Sequence, residues 1–105
     1  MGKRARPKPK RLADKLLQIR SALGMSQSEI FRHLDIEEFS QVKRISDYET
    51  GKSEPPLLVL LQYARVAGVH MEALVDDELD LPNKLPASTN HEEIKRAYKP
   101  RNKKR

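Results

Sequence analysis

The stretch QVKRISDYETG, residues 41–51, holds the side chains best suited to chemistry in this sequence. Gln41, Lys43 and Arg44 are long, polar and close together, which suits hydrogen bonding to the edges of bases. A glutamine amide matches adenine, and arginine or lysine matches the two acceptors of guanine. Asp47 follows on the same exposed side, with Ser46 beside it; a carboxylate there can accept from cytosine or repel a phosphate. The same residues, set opposite a stripe of Val42, Ile45 and Tyr48, are also what a solvated helix face shows. Which reading holds depends on the elements that position the stretch.

Those elements read as helices. Leu12, Leu16, Ile19 and Leu23 recur at helical spacing, and Gly24 closes the run. Ser26 and Glu29 form an S-x-x-E capping box, with Met25 and Ile30 placed as a hydrophobic staple, so a second helix runs to about Leu34. A third helix carries Val42, Ile45 and Tyr48 inward and ends at Gly51; Ser40 can cap it or Gln41 can open it. Pro56 suits the first turn of a fourth helix, whose stripe is Leu57, Leu60, Leu61 and Ala64, closed by Gly68. Met71, Ala73, Leu74 and Val75 make a short fifth. No strand-like alternation appears, and the fold class is all-α. Between helices two and three lies an acidic seam, DIEEFSQ, in which Ile36 or Phe39 can fill the apolar turn position while Glu37 and Glu38 stay exposed.

Charge is distributed unevenly. The 105-residue chain is net +6, yet its first eleven residues hold Lys3, Arg4, Arg6, Lys8, Lys10 and Arg11 and no carboxylate. The last fifteen are also rich in lysine and arginine, so the body between is net acidic. Basic ends on an acidic body fit a polyanion partner, with the ends as electrostatic arms; the plainer alternative is that they only solubilise. Residues 1–11 read as a basic arm, 12–80 as the domain, and 81–105 as a proline-broken connector and basic tail. Residues 1–10 are expected to be disordered when free, and HEEIKRAY can form a short charged helix. There is no cysteine, and His33, His70 and His91 are too scattered for metal-ligand spacing, so neither a metal nor a cofactor is expected. No apolar run reaches the roughly 18 residues of a membrane helix and no signal peptide opens the chain; a cytoplasmic, nucleoid-associated location is expected.

Three blocks, IRSALGMSQSEI, ISDYETGKSEPPLLVLLQYARVAGV and MEALVDD, come in an order that resembles the XRE-type, lambda-repressor-like helix-turn-helix family over residues 12–78. The resemblance implies a compact five-helix DNA-binding domain, with helix two on the phosphate backbone and helix three in the major groove. It implies base reading by Gln41, Lys43, Arg44 and Asp47, and phosphate contacts by Gln27, Ser46 and Lys52, to which the basic arm would add. Arg20 and Glu49 match a structural ion pair between helices one and three. Two departures stand out. Asp47 replaces a position where the family often has a cation, and the seam is roughly four residues longer than usual.

A sequence-specific DNA-binding transcriptional regulator follows from the resemblance. With 105 residues leaving no length for a ligand-sensing domain, it is expected to act by occupying a site, most simply as a bacterial repressor. Val75, Leu79, Leu81 and Leu85 can supply a homodimer contact or be claimed by the fold's own core. An antitoxin that binds a partner toxin is the alternative, its basic tail folding on an acidic protein. A third reading, nonspecific nucleic-acid binding through the tails, predicts no sequence preference. The few aromatic residues argue against base stacking on single strands. No nucleophile–base–acid constellation or phosphate-cradling glycine loop marks an enzyme.

Overall fold

Ser26 shows how local signals set the helix ends. Its hydroxyl accepts from the Glu29 backbone N–H at 3.1 Å, and the Glu29 carboxylate accepts from the Ser26 N–H at 2.8 Å. This reciprocal pair satisfies two of the donors that a helix start leaves without partners. Met25 and Ile30, on either side of the cap, are both buried. At the preceding helix end, Gly24 takes the left-handed conformation at φ 67°, where a Cβ would be strained even though it would touch nothing.

The structure, a computed structural model, describes residues 8–86. It contains five helices: α1 Leu12–Leu23, α2 Gln27–Leu34, α3 Lys43–Thr50, α4 Leu57–Ala67 and α5 Met71–Val75. No strand occurs among the described residues, so the all-α expectation holds. The expectations for Lys3, Arg4, Arg6 and the HEEIKRAY segment lie outside the described residues.

One apolar core joins all five helices. Leu16 and Ile19 of α1, Ile30 and Leu34 of α2, Ile45 of α3, Val59 and Tyr63 of α4 and Leu74 of α5 have no exposed surface. The expected stripe of α4 needs correction. Val59, Leu60, Tyr63, Ala64 and Ala67 are the buried set, whereas Leu57 is 69% exposed and Leu61 only half-buried. The run LLVLL permits several helical faces, and packing chose the one that seats the large Tyr63 ring. Desolvation raises the Tyr63 phenol pKa above its ordinary value, and its hydroxyl is buried with no hydrogen-bond partner among the described residues.

The acidic segment after α5 folds back over the start of α1. The Asp77 carboxylate accepts from the Lys10 N–H at 2.9 Å and from the Arg11 N–H at 3.0 Å, so it holds the two residues that lead into α1 from across the fold. The Arg11 guanidinium donates to the Asp77 carbonyl at 2.7 Å and pairs with Asp80. Lys15, only 1% exposed, donates its ammonium to the carbonyls of Ala73 and Asp76 at 2.8 and 2.9 Å. These are carbonyls of α5 and its C-cap, where helix geometry leaves acceptors open and the dipole favours a cation. Burial lowers the Lys15 pKa, assisted by the neighbouring Arg11 charge. Beyond this clamp, Leu85 is 2% exposed and Leu81 packs against the core, while Val75 and Leu79 remain 38% and 39% exposed.

Asp77 ties this clamp to pH. Its backbone hydrogen bonds from Lys10 and Arg11 hold its pKa below the ordinary 3.8. A carboxyl depressed on folding contributes stability that is complete above the ordinary value and disappears as pH falls through the folded one. Asp77→Asn should therefore lower the melting temperature at neutral pH, and the gap from wild type should close in strong acid. Thermal unfolding followed by circular dichroism across that range checks this; a gap independent of pH would remove Asp77 from the role.

Candidate nucleic-acid interface

Behind the polar stretch 41–51 sits a buried ion pair. Arg20 of α1 meets Glu49 of α3 through two parallel hydrogen bonds, Nε to Oε2 at 2.6 Å and Nη2 to Oε1 at 3.0 Å. The Glu49 side chain is 4% exposed and that of Arg20 is 21% exposed. Arg20 also donates to the Met25 carbonyl at 3.1 Å, and Gln27 donates its amide to Glu49 Oε1 at 3.2 Å. Glu49 thus ties α3 to α1 and to the start of α2, and Arg20 extends the network to the turn between them. The hydrogen bond to Glu49 is the main reason that the Arg20 pKa is raised. Arg20 and Glu49 are the two residues that the resemblance pairs between helices one and three, and here they are in contact.

With its back held by Glu49, Ile45 and Tyr48, α3 presents its other side to solvent. Gln41, Lys43, Arg44 and Ser46 are exposed, as is Lys52 just past the helix. Asp47 is half-buried, its carboxylate 3.6 Å from the Arg44 guanidinium one turn earlier. That contact offers Asp47 a role in orienting Arg44, which sequence reasoning did not consider. Gln27 stands at the start of α2, where backbone N–H groups and the helix dipole suit a phosphate, but its amide is shared with Glu49. Within the basic arm, Lys8 and Lys10 are exposed, whereas Arg11 is engaged by the acidic clamp.

Two expectations for the seam and the helix it feeds are corrected. Neither Ser40 nor Gln41 starts α3. The Ser40 hydroxyl instead hydrogen-bonds the Tyr48 hydroxyl at 3.0 Å, and Val42 occupies the cap position with no side-chain cap. Val42 was expected to turn into the core, yet it is 42% exposed. The physical reason lies upstream: Ile36 is fully buried and serves as the apolar anchor of the turn, so packing does not draw on Val42. Asp35 makes the sharp exit from α2, with φ 59°, a left-handed conformation that aspartate tolerates better than most residues. Phe39, the other candidate for the turn position, stays 47% exposed. Glu37, Glu38 and Phe39 line a groove of about 510 Å³ together with Gln41 and Arg44, which sets seam carboxylates beside two of the expected reading residues.

A helix-turn-helix family model matches residues 16–74, from within α1 to within α5. The chain belongs to the XRE-type helix-turn-helix family. No curated protein and no solved structure matches it. As a member of this family it is a DNA-binding protein, with α2 and α3 as the helix pair. Among the described residues, no helix is long and apolar enough to cross a membrane. Sequence reasoning missed the buried ammonium of Lys15 and the clamp on Lys10 and Arg11. A usable signal existed in the acidic DDELD run, which has opposite charge to the KR pair before α1.

The ion pair makes this XRE-type domain sensitive to one truncation. Arg20→Ala leaves the Glu49 carboxylate buried without its cation, and the expected loss is about 3 kcal/mol. Urea unfolding measures it, and Arg20→Met combined with Glu49→Leu should recover much of the loss. A single-variant effect below about 1 kcal/mol would instead be that of an exposed surface pair.

Proposed function

We propose that the protein is a sequence-specific transcriptional regulator that acts by occupying its site, most simply as a repressor at the nucleoid of a bacterial cytoplasm. The observation that carries this reading is the exposed polar front of α3, set on a frame locked from behind by Arg20 and Glu49. With α3 in the major groove, Gln41, Lys43 and Arg44 reach base edges, and Asp47 orients Arg44 or accepts from cytosine. Gln27, Ser46, Lys52 and the arm cations Lys8 and Lys10 lie against phosphates, and the rest of the basic ends adds salt-sensitive affinity. Two copies reading half-sites about one DNA turn apart would multiply specificity. The exposed side chains of Val75 and Leu79 are the contact we assign to that homodimer.

Selection of bound duplexes from a random pool tests the reading. One motif should be enriched, and replacing Gln41, Lys43 and Arg44 together by alanine should abolish or change it. The absence of any motif from the wild-type pool would remove the proposed function. An unchanged motif in the triple variant would remove only the assignment of these residues.

The seam makes a second prediction. Glu37 and Glu38 line the same groove as Gln41 and Arg44, and exposed charges interact over ~10 Å at ~0.1 M salt. Glu37→Gln with Glu38→Gln should tighten binding to the selected duplex by roughly three- to tenfold at low salt, with the gain fading as salt rises. Fluorescence anisotropy titrations across a salt series measure this. Equal affinities at low salt would mean that both carboxylates point away from the DNA.

A further inference from the structure

We propose that Val42 is a base-reading residue, packing its methyl groups against the 5-methyl of a thymine in the major groove. This rests on the DNA-reading role of α3 argued above. Val42 is 42% exposed and lies between two exposed polar residues, Gln41 and Lys43. A single exposed valine would need no explanation elsewhere on a surface. Here it stands at the front of the helix that faces DNA, where each side chain meets a base edge or blocks one.

Local stability gives no reason for a valine at this position. It stands just before Lys43 in an already helical conformation, and at such a first-turn position a β-branched valine is one of the weaker helix formers. Burial does not reward it either, since Ile36 anchors the turn and Ile45 supplies the inward contact of α3, both with no exposed surface. Its backbone is firmly held. Val42 has helical torsions, φ −58° and ψ −34°, and its carbonyl accepts from the Ile45 N–H at 3.1 Å while that of Gln41 accepts from Arg44 at 2.9 Å. The branched side chain adds stiffness at χ1, so the methyl groups are presented with little freedom to lose.

The chemistry then selects the base. Thymine is the base whose major-groove edge carries a methyl group; adenine, guanine and cytosine present hydrogen-bonding atoms there. Valine has no donor or acceptor, so against those three edges it would displace water and give nothing back. Against thymine it buries apolar surface on both sides. The half-site should therefore place a thymine next to the base pairs contacted by Gln41 and Lys43.

The test uses the full chain and duplexes in which each thymine of the selected motif is replaced in turn by deoxyuridine, which lacks only the methyl group. Wild type should lose roughly three- to tenfold in affinity at one position per half-site, the worth of about one buried methyl. Val42→Ala, whose fold is checked by its melting curve, should be nearly indifferent at that same position. Wild-type indifference to deoxyuridine at every position, or equal sensitivity in Val42→Ala, would overturn the inference while leaving DNA reading intact. Failure of the full chain to enrich any motif would overturn both.

Discussion

The Arg20–Glu49 pair is the interaction on which the placement of α3 depends. A helix pair can present side chains to a DNA groove only if its two axes keep a fixed relation, and apolar packing alone leaves helices free to slide by small amounts. Glu49 removes that freedom because its two oxygens are committed to Arg20 on α1 and Gln27 on α2. Glu49 is the buried partner, and a buried carboxylate with its cation removed would be expensive to keep. That makes its geometry all-or-none: the helices are docked in this register or the carboxylate is stranded. Gln27, proposed above as a phosphate contact, has an amide that also completes the network that positions α3.

Around this fixed point the chain fits an unusually long turn. A longer connection between α2 and α3 adds backbone that must be anchored, or it would blur the position of the helix it leads into. Three devices achieve this. Asp35 turns the chain sharply, Ile36 plugs it into the core, and the Ser40–Tyr48 hydrogen bond ties its far end to α3. The residues between these anchors, Glu37, Glu38 and Phe39, are left on the surface beside Gln41 and Arg44. The seam is therefore structurally well supported and electrostatically opposed to a polyanion.

Acidic residues elsewhere serve a different purpose. Asp76, Asp77 and Asp80 surround the start of α1, where Lys10, Arg11 and Lys15 supply donors and positive charge. The carboxylates of Asp77 and Asp80 are thus used internally, closing the helical domain where α5 ends and α1 begins. One consequence is a division among the basic residues at the front of the chain: Arg11 belongs to the fold, and Lys8 and Lys10 expose their side chains to whatever lies outside. Charge counting along the sequence could not make that division.

Local signals in the sequence determined a good deal. The capping box at Ser26 and Glu29 and the left-handed glycines at 24, 51 and 68 placed most helix ends, because these features act within a few residues of themselves. The family resemblance made the Arg20–Glu49 pair legible, and residue types together with that resemblance marked the polar front of α3. Tertiary structure decided the rest. Which face of LLVLL is buried, whether Val42 points inward, and where Arg11 and Lys15 find partners all depend on residues distant in the chain. The physical reason is the same in each case. Caps and turns are local hydrogen-bond arrangements, whereas burial and long-range charge pairing are competitions for limited space, and a sequence names the competitors but not the winner.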